Sequence, residues 1–171
     1  MNPAWAIRTG RLHMTPVSWA DLADLHALKS DPGVFGQMLG GVRSALGVAD
    51  DLQEELSYWA RNGVGLWIVR TPRDNRAVGL TGLHDRPDGR NPALRFAFRP
   101  EVRGKGLARE AASAALFFAH DRAGLARVLA MAREANFASR TVLGAIGMRP
   151  VDSFERGGEA VLVYESRRVS R

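Results

Sequence analysis

The chain has no cysteine. That excludes disulfide bridges, thiolate nucleophiles and cysteine-ligated metal. Its four histidines stand well apart without ligand-like spacing, so no metal site is expected. No run of about 18 apolar residues occurs, which argues against a membrane-spanning helix. Residues 1–10 lack a basic-then-apolar leader, so a signal peptide is not expected and a cytoplasmic location is. There is no internal repeat and no linker long enough to divide the chain, and residues 1–171 are expected to form one domain. Lysine is almost missing: Lys29 and Lys105 stand alone, and arginine supplies the rest of a formal charge of +6. That balance suits nucleic acid, an acidic protein or an anionic cofactor. The arginines are scattered, with no basic helix stripe and no aromatic-basic alternation, so nucleic-acid binding is not expected. Arg167, Arg168 and Arg171 read as a solvated basic end.

An apolar content of 46% with 25% charged residues is that of a globular protein. Residues 11–17 alternate, with Leu12, Met14 and Val17 on one face, and predict a strand that Pro16 ends or places at an edge. Ser18 and Asp21 read as a capping box, and Leu22, Leu25 and Leu28 follow at helical spacing. His26 lies beside that stripe and carries no functional expectation. Asp31-Pro32-Gly33 breaks this helix. Residues 34–47 read as irregular and glycine-spaced, with Phe35, Met38 and Leu39 exposed. A second helix is predicted from about residue 49 to 61, with Leu52, Leu56 and Trp59 buried and Gly63 capping it. Residues 65–71 and 77–84 form a predicted hairpin, and 85–92 a surface turn before a third meander strand at 94–98. An alanine-rich helix follows over 107–122, then a short strand at 127–131 and a helix at 138–146 stopped by Gly147. A last hairpin turns at Gly157-Gly158. The expected fold class is α+β (α/β): a mixed, mostly antiparallel twisted sheet of about six to seven strands with helices on both faces.

The stretch from Leu94 to Met148 organises the rest. The strand at 94–98 stops at Arg99-Pro100, and Arg103-Gly104-Lys105-Gly106-Leu107-Ala108 feeds directly into the alanine-rich helix. Free N–H groups of a first helical turn, together with the helix dipole, favour an anion, and glycines let a phosphate approach the backbone closely. The loop is no Walker motif, because the lysine precedes Gly106 with no hydroxyl behind it. It is no dinucleotide fingerprint either, because Arg109 stands where the third glycine belongs. Two readings stay open from the residues themselves: a phosphate loop, or a glycine-softened turn with no ligand.

Arg103-Gly104-Lys105-Gly106-Leu107-Ala108 resembles the acyl-CoA pyrophosphate loop of the GCN5-related N-acetyltransferase (GNAT) superfamily. Glu110-Ala111-Ala112, Asn136-Phe137-Ala138-Ser139 and the segment from Leu143 to Met148 extend the resemblance. The spacing from Asn136 to Ser139 and the terminal Gly147-Met148 look most like the branch of ribosomal-protein N-terminal (alpha-amino) acetyltransferases. Arg11-Leu12-His13-Met14 and Trp19-Ala20-Asp21-Leu22 look like that branch's opening strand and helix.

The resemblance implies transfer of an acetyl group from acetyl-CoA to a primary amine, either a protein N-terminus or a small molecule. It implies a GNAT-like fold, acetyl-CoA as co-substrate and no metal. Homodimers are common in the family. The main chain of Phe96-Ala97-Phe98 would pair with the pantetheine arm, with the Phe98 N–H as oxyanion donor, and the strand at 127–131 would splay away to leave a slot. Asn136 would bond the cofactor's polar groups or simply cap a helix. Ser139 would protonate the leaving thiolate, hold a water, or be a plain first-turn hydroxyl. Lys105, Arg109 and Arg140 are candidates for the phosphates, with solvated charge as the alternative. Segment 34–47 is a candidate acceptor-binding loop.

Two departures stand out. Leu143 occupies the position of the family's tyrosine acid, and Met131 that of a glutamate base. Neither moves a proton, so the burden shifts to Ser139, to water, or to a carboxylate or imidazole elsewhere. His84, Asp85 and Glu101 are candidate bases, and the amine can also lose its proton to solvent before binding. The same departures keep a rival open, a non-catalytic acyl-CoA-binding or sensing module.

Overall fold

The computed structural model describes residues 2–86 and 91–169. Part of the turn expected over 85–92 therefore lies outside the described residues, as does Arg171. Among the described residues eight strands form one sheet: β1 (Ile7–Arg8), β2 (His13–Pro16), β3 (Leu66–Arg70), β4 (Ala77–His84), β5 (Ala93–Phe98), β6 (Arg127–Arg133), β7 (Arg149–Arg156) and β8 (Glu159–Arg167). The helices are α1 (Leu22–Lys29), α2 (Pro32–Phe35), α3 (Ala45–Asn62), α4 (Leu107–Phe117) and α5 (Phe137–Ala145). The strand order is β1-β2-β3-β4-β5-β6-β8-β7, and every pairing is antiparallel except β5 with β6. Along β4 every residue from Ala77 to Leu83 is buried, so layers cover both faces of the sheet centre. The fold class is the expected one. The strand beyond the six or seven expected is β1, two residues long and too short to alternate visibly.

The first helical turn opens on the capping box expected, Ser18 with Asp21. The Asp21 carboxylate accepts from both the N–H and the hydroxyl of Ser18, each at 2.8 Å. Leu25 and Leu28 are fully buried, as their spacing predicted. Proline and glycine do stop α1, but they also start something: Asp31 accepts from the Gly33 N–H at 2.7 Å and caps the short α2. That turn drives Phe35 into the core, correcting its expected exposure. Helix α3 begins at Ala45 because the Ser44 hydroxyl accepts from the Gly47 N–H, so the glycine sits inside the first turn. Gly63 ends it in the left-handed region at φ 62°, as expected.

Trp59 knits α3 to the sheet. Its indole donates to the Leu66 carbonyl at 2.8 Å, and its ring stacks on Trp5 and meets Trp67 edge-on. Phe118, just past α4, closes the group against Trp67. Such pairs add about 0.5–1.5 kcal/mol each beyond the area they bury. Helix α4 gives way at Phe118–Arg122 to one π-helical turn before Gly124, where a single α-helix to residue 122 was expected. Among the described residues no helix is long and apolar enough to cross a membrane.

Candidate active site

Among the described residues, strands β5 and β6 run parallel but pair only at Ala93–Leu129 and Leu94–Ala130. Beyond those residues they separate, leaving the rest of β5 and the end of β6 as two walls of a gap. On its other edge β5 is fully paired with β4, in the register Gly79–Phe98 to His84–Ala93. The Arg99 N–H donates to the Val78 carbonyl at 2.9 Å. Alternation then directs the main-chain groups of Ala97 and Arg95 to β4, and those of Phe98 and Phe96 into the gap. The Phe98 side chain lies over Gly79, where an added Cβ would come within 2.6 Å of the ring and 2.5 Å of the Ala97 carbonyl. This close approach fixes the end of β5.

The glycine loop begins after a short 3-10 turn, Pro100–Val102. Gly104 and Gly106 take φ of 73° and 74°, the left-handed region that glycine tolerates best. An added Cβ at Gly104 would meet nothing, so the loop's outer surface is open. Gly106 is the N-cap of α4, and Glu110 already donates to its carbonyl. The amides ahead of Glu110 are the first-turn groups that a helix leaves without partners. The other charged loop residues are turned onto the chain. Arg103 donates to the carbonyls of Gly33 and Phe98, the latter at 3.1 Å, and Lys105 donates to the Glu101 carbonyl at 3.1 Å.

A cleft of about 540 Å³ occupies the gap. Phe96, Asn136, Ser139, Met131 and Leu143 line it, with His84 and Asp85 at another part of its wall. Phe98 and Ala97 are buried rather than part of its lining. Asn136 caps α5, its Oδ1 accepting from the Ser139 N–H at 3.1 Å, and its amide nitrogen has no partner among the described residues. The Ser139 hydroxyl is half-buried and makes no hydrogen bond among the described residues. Arg140 is held by the Glu134 carbonyl at 2.7 Å and by the Phe137 ring beneath it. Arg109 lines a separate groove between β1 and α4. Met38 and Leu39, from the expected acceptor loop, reach the cleft.

Of the three groups considered as bases, Glu101 faces away and pairs with Arg76 at 2.6 Å. Asp85 is exposed and pairs with Arg61. The His84 Nδ1 lies 2.8 Å from the Asp85 carbonyl, which accepts its hydrogen and leaves Nε2 unprotonated. Burial, and then the charge of Arg95, pull its pKa down to about 3.

On the side of the cleft lined by Met38, Leu39 and Arg43 lies a charge cluster that the sequence reading missed. Lys29 is fully buried and donates to Asp51 and Glu55, each at 2.9 Å. Arg95 pairs with Glu55, and Arg43 with Asp51 at 3.3 Å. Burial pushes the Asp51 carboxyl up, but Lys29, Arg43 and Arg95 outweigh it and hold the group below its usual range. The available signal was the i,i+4 spacing of Asp51 and Glu55 on the face of α3 that carries Leu52 and Trp59.

A parallel pair that diverges beside a glycine loop at a helix N-terminus leaves room between strands for a long ligand and free amides for an anion. The acetyltransferase (GNAT) domain model matches residues 11–149, and the chain belongs to that family. Solved structures share the fold. A GNAT-family acetyltransferase from Bacillus anthracis superposes with a TM-score of 0.79 at 23% identity, covering 95% of this chain and 98% of its own. A ribosomal-protein-S5-alanine acetyltransferase from Vibrio fischeri gives 0.79 at 14% identity over 95% and 96%. A ribosomal L7/L12 alpha-N-protein acetyltransferase in complex with coenzyme A gives 0.79 at 15% over 95% and 97%.

Proposed function

We propose that residues 1–171 act as one unit that moves the acetyl group of acetyl-CoA onto a primary amine, and that the amine is a protein N-terminus. The observation that carries this reading is the divergence of β5 from β6, with Phe96 and Phe98 main-chain groups facing the gap. Family membership and the coenzyme A bound to a structural relative support the donor; the relatives' protein substrates support the acceptor.

The residues fit the donor in outline. The open loop, with Gly104 and Gly106 in left-handed conformations, would take the pyrophosphate on the amides of Gly106, Leu107 and Ala108. The carbonyl-bound Arg103 and Lys105 would set the loop's shape and add positive charge. The main-chain groups of Phe96 and Phe98 would align the pantetheine arm as an added strand, while Ala97, expected to share in this, is turned to β4 instead. The Asn136 amide would bond the arm from the other wall. The amine nitrogen attacks the thioester carbonyl carbon, and the developing oxyanion accepts from the Phe98 N–H. As the C–S bond breaks, the thiolate takes a proton from water held by Ser139, or from the Ser139 hydroxyl, which regains one from solvent. No acyl-enzyme forms.

Proton removal from the amine falls to solvent. With a pKa of about 3, His84 is too weak a base to take a proton from an ammonium group. Coenzyme A release with a peptide should therefore show kcat/KM rising with pH to a plateau set by the α-amine, near 8. With an alkyl amine of pKa near 10 the inflection should move up with it. An inflection fixed between pH 6 and 7 for both acceptors contradicts this account. Leu143 and Met131 in the cleft wall favour a second reading, a binding or sensing module. Acetyl-CoA binding without coenzyme A release across varied amines and peptides selects it.

A further inference from the structure

The loop at the start of α4 is tied down by a residue nearly a hundred positions earlier. Arg11 donates from one terminal nitrogen to the Lys105 carbonyl at 2.7 Å. Its Nε and other terminal nitrogen reach the Glu110 carboxylate at 2.7 and 2.6 Å. The Arg11 N–H donates to the other carboxylate oxygen at 3.0 Å, and the Thr9 hydroxyl bonds that oxygen as well. A single guanidinium thus bridges the residue before Gly106 and the first turn after it, and lies 3.5 Å from where a Gly106 Cβ would stand.

We propose that Arg11 is a positioning residue for acetyl-CoA: it fixes the Gly106 turn and neutralises Glu110 at the helix end where the pyrophosphate binds. The inference rests on the acetyl-CoA reading above. Its physical basis has two parts. A forked, charge-assisted set of hydrogen bonds holds geometry better than a point charge. An uncompensated carboxylate in the first turn of α4 would oppose an anion at the same amides. Arg11 does so without lining the reaction cleft.

The test is acetyl-CoA titration and steady-state kinetics on the whole chain. Arg11→Ala should raise the Kd and KM for acetyl-CoA at least tenfold, while kcat at saturating donor and the acceptor KM stay within twofold. Arg11→Lys, which keeps the charge without the fork, should recover part of the affinity. Adding Glu110→Ala to Arg11→Ala should recover part by removing the repelling carboxylate. If wild-type protein binds acetyl-CoA and Arg11→Ala binds it equally well, the positioning role is wrong and the donor assignment stands. A parallel loss of kcat, acceptor KM and folded stability would likewise overturn it in favour of a general structural role. Failure of the wild-type protein to bind acetyl-CoA removes the donor assignment, and this inference with it.

Discussion

Gly104→Glu is expected to abolish acetyl-CoA binding while leaving the fold intact. The backbone at Gly104 lies at φ 73°, so any other residue there incurs the left-handed penalty of about 1–2 kcal/mol. No atom lies within 4 Å of the added Cβ, so nothing in the core is disturbed. The larger effect is charge. A carboxylate about 4 Å from a phosphate repels it by about 4 kcal/mol at an effective dielectric of 20. Even a fraction of that, added to the backbone term, raises Kd more than about 100-fold. Gly104→Ala carries the backbone term alone and should weaken binding by only about tenfold. Titration calorimetry separates the two, and a Gly104→Glu protein binding with wild-type affinity removes the loop from the site.

Lys29→Met should be the most damaging change of similar volume outside the cleft. Lys29 is fully buried between Asp51 and Glu55. Methionine fills the space but leaves two carboxylates short of a cation. Breaking a buried ion pair from one side costs about 3–5 kcal/mol. For a chain of this size that lowers the unfolding midpoint by roughly 6–20 °C. The pH dependence identifies the cause. Asp51 titrates lower in the fold than its usual value, so wild-type stability from this group is full above that value and is lost as pH falls through the folded pKa. In the variant Asp51 and Glu55 keep only Arg43 and Arg95 as partners at neutral pH, and protonating a carboxylate relieves the penalty. The gap between the two proteins should therefore narrow as pH approaches 4. A loss independent of pH would assign the effect to packing alone. Because Asp51 and Arg95 also line the cleft, the acceptor KM should suffer more than the donor KM.

The parts of this molecule that were legible in the sequence are those set by local chemistry. The loop Arg103-Gly104-Lys105-Gly106 could be read because strand, glycines and helix start adjoin. The hairpin turn at Gly157-Gly158 was equally local. One sequence signal was incomplete and one misled. Pro32 and Gly33 end α1 as expected, but Asp31 also makes them the start of α2. Gly47 delayed the expected start of α3 although Ser44 caps the turn containing it. The charge cluster was hidden for a different reason: Lys29 meets partners 22 and 26 residues away, and Arg95 meets Glu55 across 40. Periodicity shows which face is buried, and here that face holds ions as well as leucines. Arg11 was hidden in the same way, its partners lying 94 and 99 residues on.

The most direct test of the account is thermal unfolding with and without acetyl-CoA. A ligand that binds only the folded chain, at about 100 times its Kd, adds about 2.7 kcal/mol of stability. The unfolding midpoint should then rise by roughly 5–10 °C. An unchanged midpoint at millimolar acetyl-CoA would contradict the assignment of the gap between β5 and β6 as the donor site.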